Sequence, residues 1–379
     1  MAAINQHSND RIRERLVALT RDLMLIPSIP SRPEEVRRGY EFVKNHLESL
    51  DRVEVREFES QGVPSLVATP HGIREPDVLM CAHLDVITHP DPGAYRSRIE
   101  NGRIYGPGSG DMKGALAILL EIFRAVHTQY SQASVGLLVT TDEETGGACG
   151  ARYLFEDAGV RCGRAMIPDG GSLNQITIEE KGILHLRLSR RGRAAHAARP
   201  WLGENPIEQL MQGLFAIQRL INGFQDGASG NWRPTCAVTI ISTENQTNNR
   251  IPSHAEAVID LRFPAPHRAE EMIAYVRETV GPDVDVEVLI GAEPTHLAPD
   301  PVYAEVTKDI TGEAAITIRD DGGSDARFLC ALGIPVLMSR PLVGNLHAED
   351  EWIDIQSMVL FYRIYEQYLL RTLDLSACD

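Results

Sequence analysis

The stretch Asp77-Val78-Leu79-Met80-Cys81-Ala82-His83-Leu84-Asp85-Val86 decides the fold, because it joins an apolar run to polar side chains. The five apolar residues from Val78 to Ala82 predict a strand that is buried on both faces of a parallel sheet. His83 and Asp85 follow at its carboxyl end, which is the edge where open α/β sheets bind ligands. The stretch therefore predicts a fold class and the position of a functional site.

Helices and strands alternate on both sides of this stretch. Apolar residues at helical spacing predict helices over 9–26, 33–50, 113–130, 148–158, 325–332 and 355–370. Short apolar or β-rich runs predict strands over 53–58, 65–69, 77–86, 135–141, 164–167, 315–318 and 335–338. This alternation predicts an α/β fold, with a mixed and mostly parallel sheet flanked by helices.

The pattern between residues 182 and 293 is different. Leu184, Leu186 and Leu188 alternate with polar residues, which is typical of a sheet with one exposed face. Strands and helices then follow in the order β-α-β-β-α-β, the order of a ferredoxin-like α+β unit. We therefore expect a catalytic domain of residues 1–181 and 294–379, interrupted by a lid of residues 182–293.

Composition excludes several classes of protein. The formal net charge of −16 argues against nucleic acid as a partner, since phosphates require a basic surface. Residues 1–15 lack the apolar core of a signal peptide, and no apolar run is long enough to span a membrane. The six cysteines form no CxxC pair, which favours free thiols in a reducing compartment. We therefore expect a cytoplasmic protein that binds neither nucleic acid nor membranes.

Carboxylates follow the predicted strands at the same edge as His83. Asp142, Glu143 and Glu144 end one strand, Asp169 follows another, and Asp111 lies in the loop before a helix. Each could alone be a helix cap or a solvated strand end. Together they would repel one another unless a cation held them, so the joint placement predicts a metal site.

The glycine-rich run of residues 106–114 does not match a nucleotide-binding motif. A P-loop needs Ser or Thr directly after Gly-Lys, whereas Lys113 stands between Met112 and Gly114. The dinucleotide fingerprint needs a glycine where Asp111 stands. The chain also lacks the Gly-x-Ser-x-Gly elbow of serine hydrolases. These glycines more simply allow the backbone to turn tightly beside a metal.

Four motifs together resemble those of a co-catalytic zinc hydrolase family. They are Ala82-His83-Leu84-Asp85-Val86, Gly108-Ser109-Gly110-Asp111-Met112-Lys113-Gly114, Thr141-Asp142-Glu143-Glu144 and His347-Ala348-Glu349-Asp350-Glu351. The family includes acetylornithine deacetylase, succinyl-diaminopimelate desuccinylase, aminoacylases and glutamate carboxypeptidases. The resemblance covers nearly the whole chain. It implies a zinc exopeptidase-like fold, hydrolysis of an N-acyl amino acid or dipeptide that bears a free carboxylate, and a homodimer formed through the lid.

The resemblance also implies a set of catalytic residues. Two zinc ions, replaceable by cobalt or manganese, would be held by His83 and Asp169, by Glu144 and His347, and by Asp111 between them. Asp85 would accept the ring N–H of His83 and fix its orientation. Glu143 would be the general base that takes a proton from the attacking water.

The residues that would contact the substrate follow from the same resemblance. His196 resembles a lid histidine that reaches the partner subunit's active site and stabilises the developing oxyanion. Asn249 and Arg262 resemble lid residues that grip the substrate, and Gly323 and Ser324 resemble a loop beside its carboxylate. Each has an ordinary alternative: a surface histidine for His196, a cross-strand ion pair for Arg262 and a helix cap for Ser324.

Two departures from the family pattern leave the substrate open. Pro107 stands where arginine is common, and Asp169 stands where the deacetylase and desuccinylase branches have glutamate. A dipeptidase or carboxypeptidase that releases a C-terminal amino acid would use the same machinery. Two hypotheses from other classes are a non-catalytic metal- or amino-acid-binding protein on this scaffold and a nucleotide-dependent enzyme.

Overall fold

The computed structural model of the chain describes residues 2–224, 232–298 and 300–375. Its helices are α1 (Ala2–Met24), α2 (Pro33–Glu48), α3 (Gly114–Gln129), α4 (Pro206–Gly223), α5 (Ala269–Val280), α6 (Pro301–Thr311), α7 (Ala326–Cys330) and α8 (Ile355–Thr372). Its strands are β1 (Val53–Ser60), β2 (Val63–Pro70), β3 (Val78–His83), β4 (Arg98–Glu100), β5 (Arg103–Tyr105), β6 (Val135–Thr140), β7 (Arg164–Ile167), β8 (Gln175–Glu180), β9 (Gly182–Arg191), β10 (Ala195–His196), β11 (Thr235–Ser242), β12 (Arg250–Ile251), β13 (His254–Phe263), β14 (Val284–Ala292), β15 (Thr295–His296), β16 (Ile316–Asp320), β17 (Val336–Met338), β18 (Val343–Gly344) and β19 (Trp352–Asp354).

Two sequence predictions concern membranes and thiols. Within the described residues, no helix has both the length and the apolar character needed to cross a membrane. Cys81, Cys149, Cys162 and Cys236 are free thiols, as expected, whereas Cys378 lies outside the described residues.

The chain divides into two compact units. The first unit consists of Met1–Ile178, Leu297–Ile318 and Ser324–Asp379. Its six-stranded sheet has the order β1-β2-β6-β3-β7-β17. Strands β6, β3, β7 and β17 run parallel to one another, and β2 and β1 add antiparallel strands at one edge. This mixed, mostly parallel sheet with flanking helices confirms the predicted fold class.

Strand β3 is buried on both faces of this sheet, as its apolar run predicted. Val78 and Met80 belong to a core cluster that also contains residues of α1, α3 and α8. Leu79 and Cys81 point to the other face, where they join a second cluster that contains Phe155. Burial of alternate residues on opposite faces places β3 in the middle of the unit and fixes the direction in which its carboxyl end points.

The second unit consists of Glu179–His296 and Arg319–Gly323. Its antiparallel sheet has the order β11-β13-β9-β14, and the chain visits β9, α4, β11, β13, α5 and β14 in turn. Leu184, Leu186 and Leu188 of β9 form a core with apolar residues of α4 and α5, while the intervening residues stay partly exposed. The ferredoxin-like arrangement is confirmed. The functional roles of the two parts of the chain remain predictions.

Some elements differ from those predicted. The helix predicted over 148–158 covers residues 151–157, with a π-helical segment Tyr153–Asp157, and the Asp142 carboxylate accepts the N–H groups of Cys149 and Gly150 just before it. The sequence also gave no prediction of the β4–β5 hairpin, β8 or α6. Helix α6 begins at a local cap, where the Asp300 carboxylate accepts the N–H of Val302.

Candidate metal centre

The carboxyl ends of three parallel strands bring the predicted ligands together. Strand β3 lies between β6 and β7 and ends at His83. Glu143 and Glu144 lie in the turn that follows β6, and Asp169 follows β7. Because these strands are parallel and adjacent, the side chains that follow them share one edge of the sheet.

The glycine-rich loop delivers Asp111 to the same edge. Gly108 has a φ of +78°, and a Cβ there would lie 2.7 Å from Val86 Cγ1, so a side chain would be both strained and crowded. A Cβ on Gly114 would lie 2.4 Å from the Ser109 carbonyl oxygen. The glycines therefore allow close packing of the loop against β3, consistent with the interpretation that they serve a tight turn.

Asp111 lies between two histidines. Its Oδ1 is 3.1 Å from Nε2 of His83, and its Oδ2 is 3.3 Å from Nε2 of His347. His347 Nε2 is also 3.3 Å from Oε2 of Glu144. One carboxylate thus presents a separate oxygen to each histidine, which is the arrangement that a carboxylate shared by two metal ions requires.

Two groups of possible metal ligands meet at Asp111. Ligand atoms of His83, Glu143 and Asp169 lie within 4.8 Å of one another, and so do those of Asp111, Glu144 and His347. Asp111 belongs to the second group and also contacts the first, because its Oδ1 lies 3.1 Å from Nε2 of His83. Three protein ligands and an open position are typical of catalytic zinc, and the nitrogen and oxygen donors fit that ion.

The electrostatics of the cluster favour a cation. Burial alone would lower the pKa of His83, but hydrogen bonds to Asp111 and Asp85 outweigh it and raise this pKa well above its usual value. Hydrogen bonds to Asp111 and Glu144 raise the pKa of His347 to about 10. Burial raises the pKa of Glu143 and of Glu144. Each shift favours added positive charge, which a bound metal ion would supply.

Asp85 lies at Nδ1 of His83, the ring nitrogen whose N–H it was expected to accept. His83 Nδ1 lies 3.0 Å from the backbone carbonyl oxygen of Asp85 and 3.6 Å from its carboxylate. The carboxylate is fully buried and accepts the backbone N–H groups of Glu143 and Glu144, at 3.2 and 2.9 Å. Asp85 therefore orients the imidazole through its carbonyl and holds the Glu143–Glu144 turn with its side chain.

Glu351 supports Asp111, Lys113 anchors the glycine-rich loop to the end of α1, and the sequence revealed neither role. Glu351 is 1% exposed, and one of its oxygens accepts the N–H groups of Gly110 and Asp111, at 2.7 and 3.0 Å. Burial raises the pKa of Glu351 to about 7. Lys113 is fully buried and donates to the carbonyl oxygens of Leu23 and Ile26. The only sequence feature that pointed to them is that Lys113 lies in the motif of residues 108–114 and Glu351 lies in the motif of residues 347–351.

The residues predicted to contact the substrate are distributed over both units. In the second unit, His196 is exposed on β10, opposite Arg250, and its Nδ1 accepts the N–H of Ala198. Asn249 is exposed next to β12. Arg262 donates through Nε and Nη2 to Asp260, two residues away on the same strand, at 2.6 and 3.0 Å.

Gly323 closes the second unit and Ser324 resumes the first. Ser324 is buried, and its Oγ accepts the N–H of Ala326 at the start of α7. Ser324 therefore caps α7 with its hydroxyl oxygen, as the alternative interpretation proposed. Its hydroxyl hydrogen is still available to donate to another acceptor.

Comparison with known proteins gives similarities of sequence and of fold. A profile of peptidase family M20/M25/M40 matches residues 79–371. A succinyl-diaminopimelate desuccinylase of Alkalilimnicola ehrlichii is 27% identical over 325 residues, which cover 80% of this chain and 85% of the relative. The fold is similar to that of a dipeptidase from Saccharomyces cerevisiae (TM-score 0.80, 15% identity, 97% and 98% coverage). It is also similar to a metallo-carboxypeptidase from Sulfolobus solfataricus (TM-score 0.77, 18% identity, 93% and 98% coverage).

Proposed function

This chain belongs to peptidase family M20/M25/M40, and we propose that it uses two zinc ions and Glu143 to cleave an amide bond next to a free carboxylate. It is a metal-dependent amidohydrolase that acts on acyl amino acids or peptides. The observation that carries the proposal is Asp111, whose two oxygens lie 3.1 Å from Nε2 of His83 and 3.3 Å from Nε2 of His347.

Five side chains would hold the metal ions. His83 and Asp169 serve one ion, Glu144 and His347 serve the other, and Asp111 serves both. When bound, two such ions lower the pKa of a shared water and polarise the scissile carbonyl. Glu143 lies in the same group as His83 and Asp169, and the resemblance to the family assigns its carboxylate to proton transfer instead of metal binding. Cobalt or manganese could occupy the same nitrogen and oxygen donors.

Glu143 acts as the general base. Its carboxylate lies near His83 and Asp169, at the edge of the sheet where the metal ligands meet. Burial raises its pKa above the usual range of a glutamate, which suits a group that must first accept a proton and then release it. Glu143 takes the proton from the attacking water and delivers it to the nitrogen of the leaving amine.

Other side chains bind the substrate and stabilise charge. The Ser324 hydroxyl and the backbone of Gly323 donate to the substrate carboxylate, and Asn249 and Arg262 contribute further polar contacts. Arg262 donates two N–H groups to the Asp260 carboxylate, and this pair of hydrogen bonds restricts the guanidinium to one orientation. His196 donates to the oxyanion that develops on the carbonyl oxygen.

The second unit forms a homodimer with a second copy of the chain. Strand β11 ends the sheet order of this unit and exposes apolar side chains, with Ile240 and Ile241 each 55% exposed. Phe215 on the neighbouring helix α4 is 58% exposed. An exposed apolar edge strand beside an exposed aromatic ring is typical of a surface that pairs with another chain.

Metal content combined with a hydrolysis panel tests this function. The panel contains N-acetyl, N-succinyl and N-formyl amino acids and dipeptides, each assayed before and after chelation. We expect about two zinc ions per chain and cleavage that chelation abolishes and zinc restores. Cleavage of an acylated amino acid would identify a deacylase, and cleavage of a dipeptide would identify a peptidase. A chain that binds no metal would contradict the proposal, and two metals without turnover on any substrate would favour a binding protein.

A further inference from the structure

The segment Ser324–Arg327 contacts the turn that carries Glu143 and Glu144. Arg327 donates through Nη2 to the carbonyl oxygen of Gly146, at 3.0 Å, and through Nη1 to the carbonyl oxygen of Ser324, at 3.2 Å. Its guanidinium carbon also lies 4.6 Å from the ring centroid of Phe328. Arg327 therefore bridges the substrate loop at Ser324 and the end of the Glu143 turn, within the first unit.

A second contact joins the same two segments. Asp325 is buried, and a Cβ on Gly147 would lie 2.4 Å from its Oδ1, so the carboxylate packs directly against the Gly147 backbone. Thr140, the last residue of β6, is 3.4 Å from the other oxygen of Asp325. Two side chains of one short segment thus hold the two glycines that follow Glu143 and Glu144.

The turn itself needs such support at its glycine end. At its start, Asp85 accepts the N–H groups of Glu143 and Glu144. At its end, Gly146 and Gly147 have φ values of +100° and +63°, and their N–H groups donate to the carbonyl oxygens of Glu143 and Asp142, both at 2.8 Å. Asp142 bonds to Cys149 and Gly150 beyond these glycines. The Arg327 bond to Gly146 adds a side-chain contact from outside the turn, at a carbonyl oxygen whose own N–H is bonded to Glu143.

We infer that Arg327 is a positioning residue, which holds the Glu143 turn in register with the substrate loop through the Gly146 carbonyl. This inference rests on the proposed function, because it assumes that Glu143 is the general base. It predicts that loss of the guanidinium lowers kcat while metal binding and KM change little. Metal binding should change little, because four of the five proposed ligands, His83, Asp111, Asp169 and His347, lie outside this turn.

The test compares Arg327→Ala and Arg327→Lys with Arg152→Ala. Arg152 is a matched control, because it follows the same turn but its side chain is 42% exposed and its guanidinium only approaches Glu156 and Asp157, at 3.6 and 3.9 Å. We expect Arg327→Ala to lower kcat about 100-fold, the effect of a displacement of about 1 Å in a catalytic group. KM and metal content should change less than about threefold, Arg327→Lys should retain part of the rate, and Arg152→Ala should behave as wild type. Added guanidinium ion should restore part of the kcat of Arg327→Ala, which a general loss of stability would not allow.

Three results would overturn the inference. An unchanged kcat would mean that Gly146 needs no external support. A raised KM with normal kcat would assign Arg327 to the substrate loop alone, and loss of metal in parallel with kcat would assign it to the metal site. Glu143→Gln, assayed alongside, separates this inference from the proposed function. If Glu143→Gln stays active, the proposed base is wrong; if it is inactive while Arg327→Ala is normal, only the positioning role fails.

Discussion

The two units differ in how their predicted site residues are partnered. In the first unit, the predicted metal ligands contact one another, with Asp111 3.1 Å from one histidine and 3.3 Å from the other. In the second unit, His196 and Asn249 are exposed, and Arg262 is paired with Asp260 of its own strand. The first unit thus already assembles a cluster that can bind metal, whereas the second unit presents separate polar groups.

This difference indicates that the first unit can bind metal with its own side chains, whereas the predicted residues of the second unit need a substrate or a second chain as their partner. Metal ligands must converge within a few ångströms, so their convergence inside one unit is a requirement of the chemistry. Residues that grip a substrate or a second chain act only when that partner is present, and they remain exposed until then. Variants in the two units should therefore affect different steps of the reaction.

The largest effect of a single substitution is expected at Glu143. Glu143→Gln removes the group that accepts the proton, and general-base catalysis contributes about 10²–10⁴-fold, so kcat should fall by that factor. Metal content should remain at the wild-type level, because all five proposed ligands are unchanged, whereas loss of metal would make Glu143 a ligand beside His83 and Asp169. Steady-state kinetics and metal analysis check this. The exposed Glu156→Gln is the control, and a near-normal kcat for Glu143→Gln would show that the first unit uses another base.

A smaller loss is expected at His196 in the second unit. His196→Ala removes a donor to the oxyanion, which costs about 10²–10³-fold in kcat, and it should leave metal content unchanged. His254→Ala is a suitable control, because His254 belongs to the same unit and only approaches Glu256 of its own strand. Normal turnover of His196→Ala would make this residue an ordinary surface histidine.

Mixed dimers decide whether His196 acts across a subunit interface. Chains with His196→Ala and chains with Glu143→Ala are each expected to be inactive. If His196 serves the partner's site, a mixed dimer contains one site with both residues intact, and activity returns on mixing. Mixtures that form dimers but stay inactive would place His196 in the site of its own chain, and a chain that sediments as a monomer would contradict the homodimer.

The smallest effect is expected at Glu351, which supports Asp111 through the backbone. Glu351→Ala removes the acceptor of two N–H groups and should weaken metal binding or activity about 10–100-fold. Both N–H groups bond to the same oxygen, so Glu351→Gln can keep both bonds and should stay near wild type. Metal titration of the two variants, with the exposed Glu349→Ala as control, checks this. Equal losses in Glu351→Gln and Glu351→Ala would assign the effect to charge instead of geometry.

Much of the fold could be predicted from the sequence, because the spacing of apolar residues indicates which faces of a strand or helix are buried. The apolar run of β3 predicted a strand buried on two faces, and the alternation in β9 predicted a strand buried on one. The helix predicted over 148–158 was correct for residues 151–157 and began three residues too early, where the Asp142 carboxylate accepts the N–H groups of Cys149 and Gly150. Helix α6 was missed, although Asp300 and Pro301 form a local start signal.

The roles of Glu351 and Arg327 could not be predicted from the sequence, because they depend on contacts between segments that are far apart in the chain. Glu351 bonds to the Gly110–Asp111 backbone, and Arg327 bonds to the carbonyl of Gly146. A backbone acceptor leaves no mark in the sequence at its own position, since every residue has a carbonyl. For Arg262 the sequence suggested a cross-strand ion pair as the alternative, whereas the guanidinium bonds to Asp260 of its own strand.

The sequence by itself determined the residue types at the strand ends, the interruption of one α/β unit by another pattern, and the resemblance to a metal-dependent hydrolase family. These features are local or ordered along the chain, so periodicity and motif order report them. Only the tertiary structure decided that one oxygen of Asp111 approaches each histidine, that Asp85 turns its carboxylate to the Glu143 turn, and that Arg327 holds the end of that turn. Those facts are distances between groups far apart in the chain, and packing of the sheet and its loops sets them.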